Sequence, residues 1–233
     1  MANHTFVPIL GKRIRVTRLF ENGAIDTTGD DAQIVTDGFV TVSLTAEVEE
    51  GTEIIQRNAS GALCVNEKFN DSFKRFTAEI EFCGVNPQLL TMVTNAEPYE
   101  DYAGDIAGFT IGEGEITEVF GLELWTGLSG AEAAGDTTPG GYFLLPFVAG
   151  GTFGDIEIGG EEAINFTLTG AMTKGGNQWG TGPYDVLLDE DGTPAQLPTP
   201  VDVLDHLLLM DTALAPPPIA DSAASVAAAT AGP

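Results

Sequence analysis

His4 and His206 are the chain's two imidazoles, so a Ser-His-Asp site would have to use one of them. Such a site also needs its serine on the sharp strand-to-helix elbow that G-x-S-x-G provides. Gly127-Leu128-Ser129-Gly130 misses that spacing by one residue. His4 sits near the start of the chain and His206 beside an apolar run, so both are expected to be solvated or packing groups. Cys64 and Cys83 are too few for a disulfide framework and form no C-x-x-C or Cys/His cluster for zinc, so free, partly buried thiols in a reducing compartment are expected. Gly112-Glu113-Gly114, Gly150-Gly151 and Lys174-Gly175-Gly176 match neither a phosphate loop nor a dinucleotide fingerprint, and hairpin turns account for them. Asp189-Glu190-Asp191-Gly192 lacks the alternating ligands and closing glutamate of a calcium loop. These motifs predict no catalytic residue, no metal site and no cofactor.

Carboxylates spaced two apart carry more information. Glu47 with Glu49, and Glu79 with Glu81, each fall on one side of a run that alternates with period two. From Phe39 to Glu49, Val40, Val42, Leu44, Ala46 and Val48 take one side, while Thr41, Ser43, Thr45, Glu47 and Glu49 take the other. Phe76, Ala78, Ile80 and Phe82 alternate in the same way with Thr77, Glu79 and Glu81. Two strands that pair as an antiparallel hairpin follow, with one acidic, threonine-rich face. A second hairpin of this kind is expected around Gly159-Gly160. There Ile156, Ile158, Ile164, Phe166 and Leu168 face in, and Asp155, Glu157, Asn165, Thr167 and Thr169 face out. Asp155 and Glu157 join the acidic candidates on that basis. Further strands are predicted at Gly108–Ile111, Val119–Trp125, Tyr142–Val148, Tyr184–Leu188 and His206–Met210. One short helix is predicted, with Asn86 as its cap, Pro87 in the first position and Leu89, Leu90 and Val93 as a buried stripe.

The first hairpin has a long connection, about residues 50–74. It carries Ile54, Ile55, Leu63, Val65, Phe69 and Phe73, and the cations Arg57 and Lys68, with Lys74 and Arg75 at its exit. A merely solvated loop would not need so many apolar groups. An apolar and basic excursion from an acidic body predicts an arm that docks on another copy. Arg57, Lys68, Phe69, Phe73, Lys74 and Arg75 are its candidate contacts.

The rest of the composition narrows the class of function. The 233 residues carry 9 Lys+Arg against 35 Asp+Glu, a net charge of −26. That field repels phosphate and argues against direct binding to duplex nucleic acid or docking on anionic lipid. Residues 84–233 hold one cation, Lys174, so the two parts of the chain present different potentials. No run of 18 apolar residues predicts a membrane span, and Met1–Leu10 has no signal-peptide layout. With 29 Gly and 13 Pro, short strands and turns are favoured over long helices. The expected organisation is an N-terminal arm at 1–10, a mainly β domain at 11–214 and an Ala/Pro-rich disordered tail at 215–233. The fold class is a two-sheet β-sandwich or barrel with one flanking helix.

Several segments together resemble a known family. They are Gly11-Lys12-Arg13-Ile14-Arg15-Val16-Thr17-Arg18-Leu19, Val35-Thr36-Asp37-Gly38-Phe39-Val40, Thr45-Ala46-Glu47-Val48-Glu49-Glu50-Gly51, Ile80-Glu81-Phe82-Cys83-Gly84-Val85, Tyr142-Phe143-Leu144-Leu145-Pro146-Phe147 and Thr169-Gly170-Ala171-Met172-Thr173-Lys174-Gly175-Gly176 with Trp179-Gly180. In order and spacing, over residues 11–215, they resemble the major tail proteins of long-tailed, non-contractile phages (siphophages), in the style of phages of actinobacteria. The resemblance implies a virion protein assembled in the host bacterial cytoplasm. It would form hexameric rings that stack into a tail tube, four strands per subunit joining those of five neighbours around the lumen. The long loop and terminal arms would contact the next ring. Partners would be further copies and the tail-tip or baseplate, tape-measure and tail-terminator proteins, with DNA passing through unbound. The family supplies no catalytic residues to transfer.

Two other classes fit a mainly β chain. A binding module or adhesin on a virion or cell surface would show a concave aromatic cluster, for which Trp125 and Trp179 are few and scattered. A hydrolase or lyase would need a convergent acid pair, which the sequence does not place.

Overall fold

The computed structural model describes residues 8–128, 140–156, 164–176 and 178–226. In chain order the strands begin with β1 (Pro8–Arg18), β2 (Gln33–Thr36), β3 (Phe39–Glu49), β4 (Glu53–Arg57), β5 (Leu63–Lys68) and β6 (Ser72–Phe82). Helix α1 (Pro87–Val93) follows, then β7 (Ala96–Glu100), β8 (Ile106–Ile111), β9 (Val119–Leu128), β10 (Gly140–Ala149) and β11 (Thr152–Phe153). The chain ends with β12 (Phe166–Thr173), β13 (Leu187–Leu188), β14 (Pro194–Ala195) and β15 (Leu208–Thr212). The protein is mainly β, with one large antiparallel sheet of nine strands and three small hairpins. The helix forms as its signals predict. The Asn86 side chain accepts from the Gln88 N–H, Pro87 occupies the first turn, and Leu89, Leu90, Met92 and Val93 are buried.

The large sheet runs β2-β1-β9-β10-β12-β6-β3, with β11 also on β12 and β15 also on β10. Two separate sheets were expected; one continuous sheet forms instead, because β10 joins both halves. One edge of β10 pairs with β9 at both ends; the other pairs first with β15 and then, at Val148 and Ala149, with β12. The change of partner falls at Pro146 and Phe147, where the β9 register shifts. Proline has no ladder N–H, so a bulge is the natural place for it in a central strand. The sheet then curls over itself. Residues of β1, β2, β9 and β10 share one core with residues of β6 and β12, and α1 adds Leu89, Met92 and Val93 to it. At the free end, Phe39, Val42 and Leu44 of β3 come to lie beside Leu124 of β9 and Phe143 of β10.

A second core covers the opposite face of β1, β9 and β10. Trp125, Tyr142, Leu144 and Phe147 meet Trp179, Tyr184, Val186, Leu197 and Val201 from the irregular segment after β12. Gly121 lets this segment close down, since a Cβ there would strike the Trp179 ring. The side of β1 that carries Arg15 and Thr17 therefore faces a buried layer, not water.

Disorder was expected from residue 215, but the described part of that segment is docked. The Ala224 N–H donates to the Gln33 carbonyl and the Gln33 N–H donates back, so a short bridge extends the β2 edge. Asn86 Nδ2 donates to the Asp221 carbonyl, the Ala223 N–H donates to Gln88 Oε1, and Val226 is buried in the second core. The few apolar groups of the segment are enough because its backbone finds partners on β2 and α1. The expected arm at 1–10 likewise enters the sheet from Pro8, where β1 begins pairing with β9.

Candidate functional site

The acidic, threonine-rich face predicted on two hairpins is built by the half-sheet β11-β12-β6-β3. Thr41 lies opposite Glu81, Ser43 opposite Glu79, Thr45 opposite Thr77 and Glu47 opposite Arg75. Thr167 of β12 pairs with Glu81 from the other side. Glutamate thus alternates with hydroxyl residues across the ladder, and no two of the candidate glutamates sit directly opposite each other. This arrangement avoids the cost of facing like charges.

Each candidate acid has a definite place. Glu79 and Glu49 are exposed. Glu81 is half-buried, accepting from Asn165 Nδ2 at 2.7 Å and from Thr41 Oγ1 at 3.5 Å. Glu47 is tied down by Thr77 Oγ1 at 2.7 Å and Arg75 Nε at 2.7 Å. Those hydrogen bonds, Thr77 first, hold its carboxyl below the ordinary value of 4.5. Asp155 is exposed just beyond Gly154, whose N–H donates to the Thr167 carbonyl at the border of the same face. Glu157 lies outside the described residues. Of the predicted strand over Asp155–Ile158, Asp155 and Ile156 lie in no strand, the rest falls outside the described residues, and the strand found here is β11, Thr152–Phe153, paired with Thr169 and Leu168. Ile156 is accordingly exposed instead of turned inward. Cys64 and Cys83 are free thiols, exposed instead of partly buried.

The long connection is a hairpin rather than a loop. β4 and β5 pair over Glu53–Lys68, and every residue of both strands is exposed. Asn58 Oδ1 accepts from the N–H groups of Ser60 and Ala62 to form the turn, and Gly61 takes a φ of 82° that favours glycine. Arg57 at the turn donates to the Gly61 carbonyl, Lys68 lies 3.9 Å from Asp71, and the Phe69 N–H closes the base on Thr52. These three stay on the excursion. Phe73, Lys74 and Arg75 do not, because β6 already begins at Ser72. Phe73 packs on Phe76 and on the edge of His206. Lys74 is the extra residue of a bulge, and Arg75 belongs to the acidic face. His206 also shares a 2.7 Å hydrogen bond with Thr173 Oγ1, and burial lowers its pKa.

No family model matches this chain, and no curated protein matches it.

The sequence reading missed three features. One is a second projecting hairpin, β7 with β8, of which only the Gly108–Ile111 strand was foreseen. Its signal was Asp101 and Gly104 between two short runs: Asp101 Oδ1 accepts from Ala103 and Asp105, and Gly104 has a φ of 86°. The second is a buried ion pair. Arg15 reaches Glu123 through Nε at 2.6 Å and through a second nitrogen at 2.7 Å, and Tyr142 donates to the same carboxylate. The guanidinium lies 3.3 Å over the Tyr184 ring. Burial opposes the charge on Arg15, yet Glu123 outweighs it and the pKa is raised. Burial, reinforced by Glu123, lifts Tyr142 well above its ordinary value; Tyr184 rises to about 12, again mainly through burial. The third is a cleft of about 340 Å³ beneath the free edge of β3, lined by Gly11, Phe39, Val42, Leu44, Leu124 and Phe143 among others.

Proposed function

We propose that this chain is a tail-tube subunit of a long-tailed, non-contractile phage, self-assembling into stacked, hexameric rings whose lumen conducts the genome. One observation carries the reading. Over β6 and β12 the half-sheet has one face on the core and the other, of Thr, Asn and Glu, turned away from it, and it ends in an eleven-residue edge strand, β3, whose Ala46 and Val48 are exposed. A long free edge is a liability in a lone domain and an asset in a ring, where the next copy pairs with it. The half-sheets of six copies then close into a barrel with the hydroxyl and carboxylate face inward.

The charge suits that role. Six copies carry about 156 formal negative charges, and a wall of that sign repels phosphate instead of holding it. Screening limits the effect to roughly 10 Å at 0.1 M salt, so the groups on the wall matter most. Glu79, Glu49 and Glu81 are the lumen acids in this reading, with Glu47 partly neutralised by Arg75. The exposed β4/β5 hairpin serves the contact between rings. The virion tail is the location, and the tail-tip, tape-measure and terminator proteins are the further partners.

Electron microscopy of the purified chain at high concentration tests the proposal. Six-fold rings or hollow tubes are the expected result; particles that stay monomeric at every concentration would overturn it.

A further inference from the structure

A cleft of about 280 Å³ opens where β10 turns into β11 and both meet β12. Arg75, Ile116, Gly151, Thr152, Thr169 and Lys174 are among the residues that line it. The sheet register brings its two cations together. Met172 of β12 lies opposite Thr77 of β6. Two residues further along each strand, in opposite chain directions, stand Lys174 and Arg75. They come from segments about 100 residues apart, and Lys174 is the one cation of residues 84–233.

The acids around this cleft do not cancel it. No described Asp or Glu lines it. Glu47 engages Arg75 through Nε at 2.7 Å, and its other oxygen accepts from Thr77. Both terminal nitrogens of the guanidinium are left for a further acceptor. Among the described residues Lys174 has no carboxylate partner; its ammonium stands 5.8 Å over the Phe147 ring. Two cations against Glu47 leave one positive charge, in a chain whose net charge is −26. Thr152 and Thr169 add two hydroxyls, 3.4 Å apart. That separation is too long for a strong mutual bond, so both can donate into the cleft.

We propose that this cleft binds a singly charged phosphate group, held by Lys174, the Arg75 guanidinium and the hydroxyls of Thr152 and Thr169. A planar carboxylate has two oxygens to offer, whereas a tetrahedral phosphate presents four to donors on several sides. An ammonium point charge beside a guanidinium fork is the pairing such a group favours. Free dihydrogen phosphate and a phosphodiester of DNA share this chemistry. The site is complete within one copy, so it does not rest on the tail-tube reading. In a tube it would add one phosphate contact per copy to a wall that is otherwise repellent.

Phosphorus NMR and melting curves test the proposal, in mildly acidic buffer where inorganic phosphate carries one charge. The parent should broaden the phosphate resonance. It should also melt about 2–4 °C higher in phosphate at ten times its Kd than in chloride of equal ionic strength. Lys174→Gln, an exposed position, should lose both effects, and Thr169→Val should lose most of each while keeping the charge. Lys12→Gln, a cation elsewhere on the molecule, should keep both. Equal broadening and equal melting shifts in the parent and Lys174→Gln would overturn the proposal. A short DNA duplex at low salt then identifies the source. Retention of the duplex that Lys174→Gln abolishes makes the DNA backbone the ligand; phosphate binding without retention makes it free phosphate. Tubes from a chain that shows no phosphate effect would overturn the site alone, and phosphate binding by a chain that never assembles would overturn the tail-tube reading alone.

Discussion

Arg75 and Glu47 face each other across the β3–β6 ladder with 2.7 Å between Nε and Oε2. The sequence placed these two residues in different roles, one on a docking arm and one on an acidic face. Their pairing makes them a unit, and replacing Glu47 with Lys would set two cations opposite each other.

The pair makes stability depend on acid. The Glu47 carboxyl is held below its ordinary value in the folded chain, so it stabilises the fold above that value and the effect is lost as pH falls through the folded value. The stability difference between the parent and Glu47→Gln should be largest above about pH 5 and shrink at lower pH. Melting temperatures across a pH series would show this, and a difference that grows toward low pH would contradict it.

An acid on the proposed lumen face that is free of such a partner makes the cleaner probe of DNA transit. Glu79 is exposed opposite Ser43, so Glu79→Lys should fold and assemble normally. Each ring of six would gain about 12 positive units. DNA ejection from reconstituted particles should slow, most of all at low salt, because phosphate contacts steepen the salt dependence. Ejection equal to the parent's at every salt concentration would move Glu79 to the outer surface.

The buried Arg15–Glu123 pair predicts a large and non-additive loss. Glu123→Gln leaves the guanidinium without its counter-ion, at a cost of about 3–5 kcal/mol. Adding Arg15→Met removes the orphaned charge, so the double variant should be more stable than Glu123→Gln alone. Urea unfolding of the four chains measures the coupling.

Removing residues 216–233 should now be costly. Val226 would leave the second core, and Gln33, Asn86 and Gln88 would lose partners. A loss of about 2 kcal/mol or more follows, or roughly 4–8 °C in a domain of this size. An unchanged melting temperature would restore the view of a free tail.

Deleting Gly51–Asn70 should do the reverse. No residue of β4 or β5 is buried, so the body should melt within about 2 °C of the parent while losing the ability to form tubes. Light scattering and melting curves on one sample separate the two effects.

Period-two patterning made β3, β6 and the acidic face legible, because side chains on a strand must alternate whenever one side is buried. The cap at Asn86 gave the helix to within a residue. Pairing between distant strands was not legible. That β12 continues β6, and that residues 178–201 cover β1, β9 and β10, depends on contacts between segments far apart in sequence. That Arg15 is buried was not legible either, because its counter-ion lies 108 residues away. The β4/β5 hairpin escaped because both its faces are exposed, so Ile54 and Ile55 stand side by side without alternation.

β10 belongs to both cores at once, with Phe143, Leu145 and Val148 on one side and Tyr142, Leu144 and Phe147 on the other. Water reaches its backbone only when the whole domain opens. Its amide protons should therefore exchange with deuterium at the rate of global unfolding, while those of β4 and β5 exchange through local fraying. The molecule behaves as one rigid spine with two pliant ends. Strain between neighbouring copies would be absorbed in the hairpins long before it loosened a core.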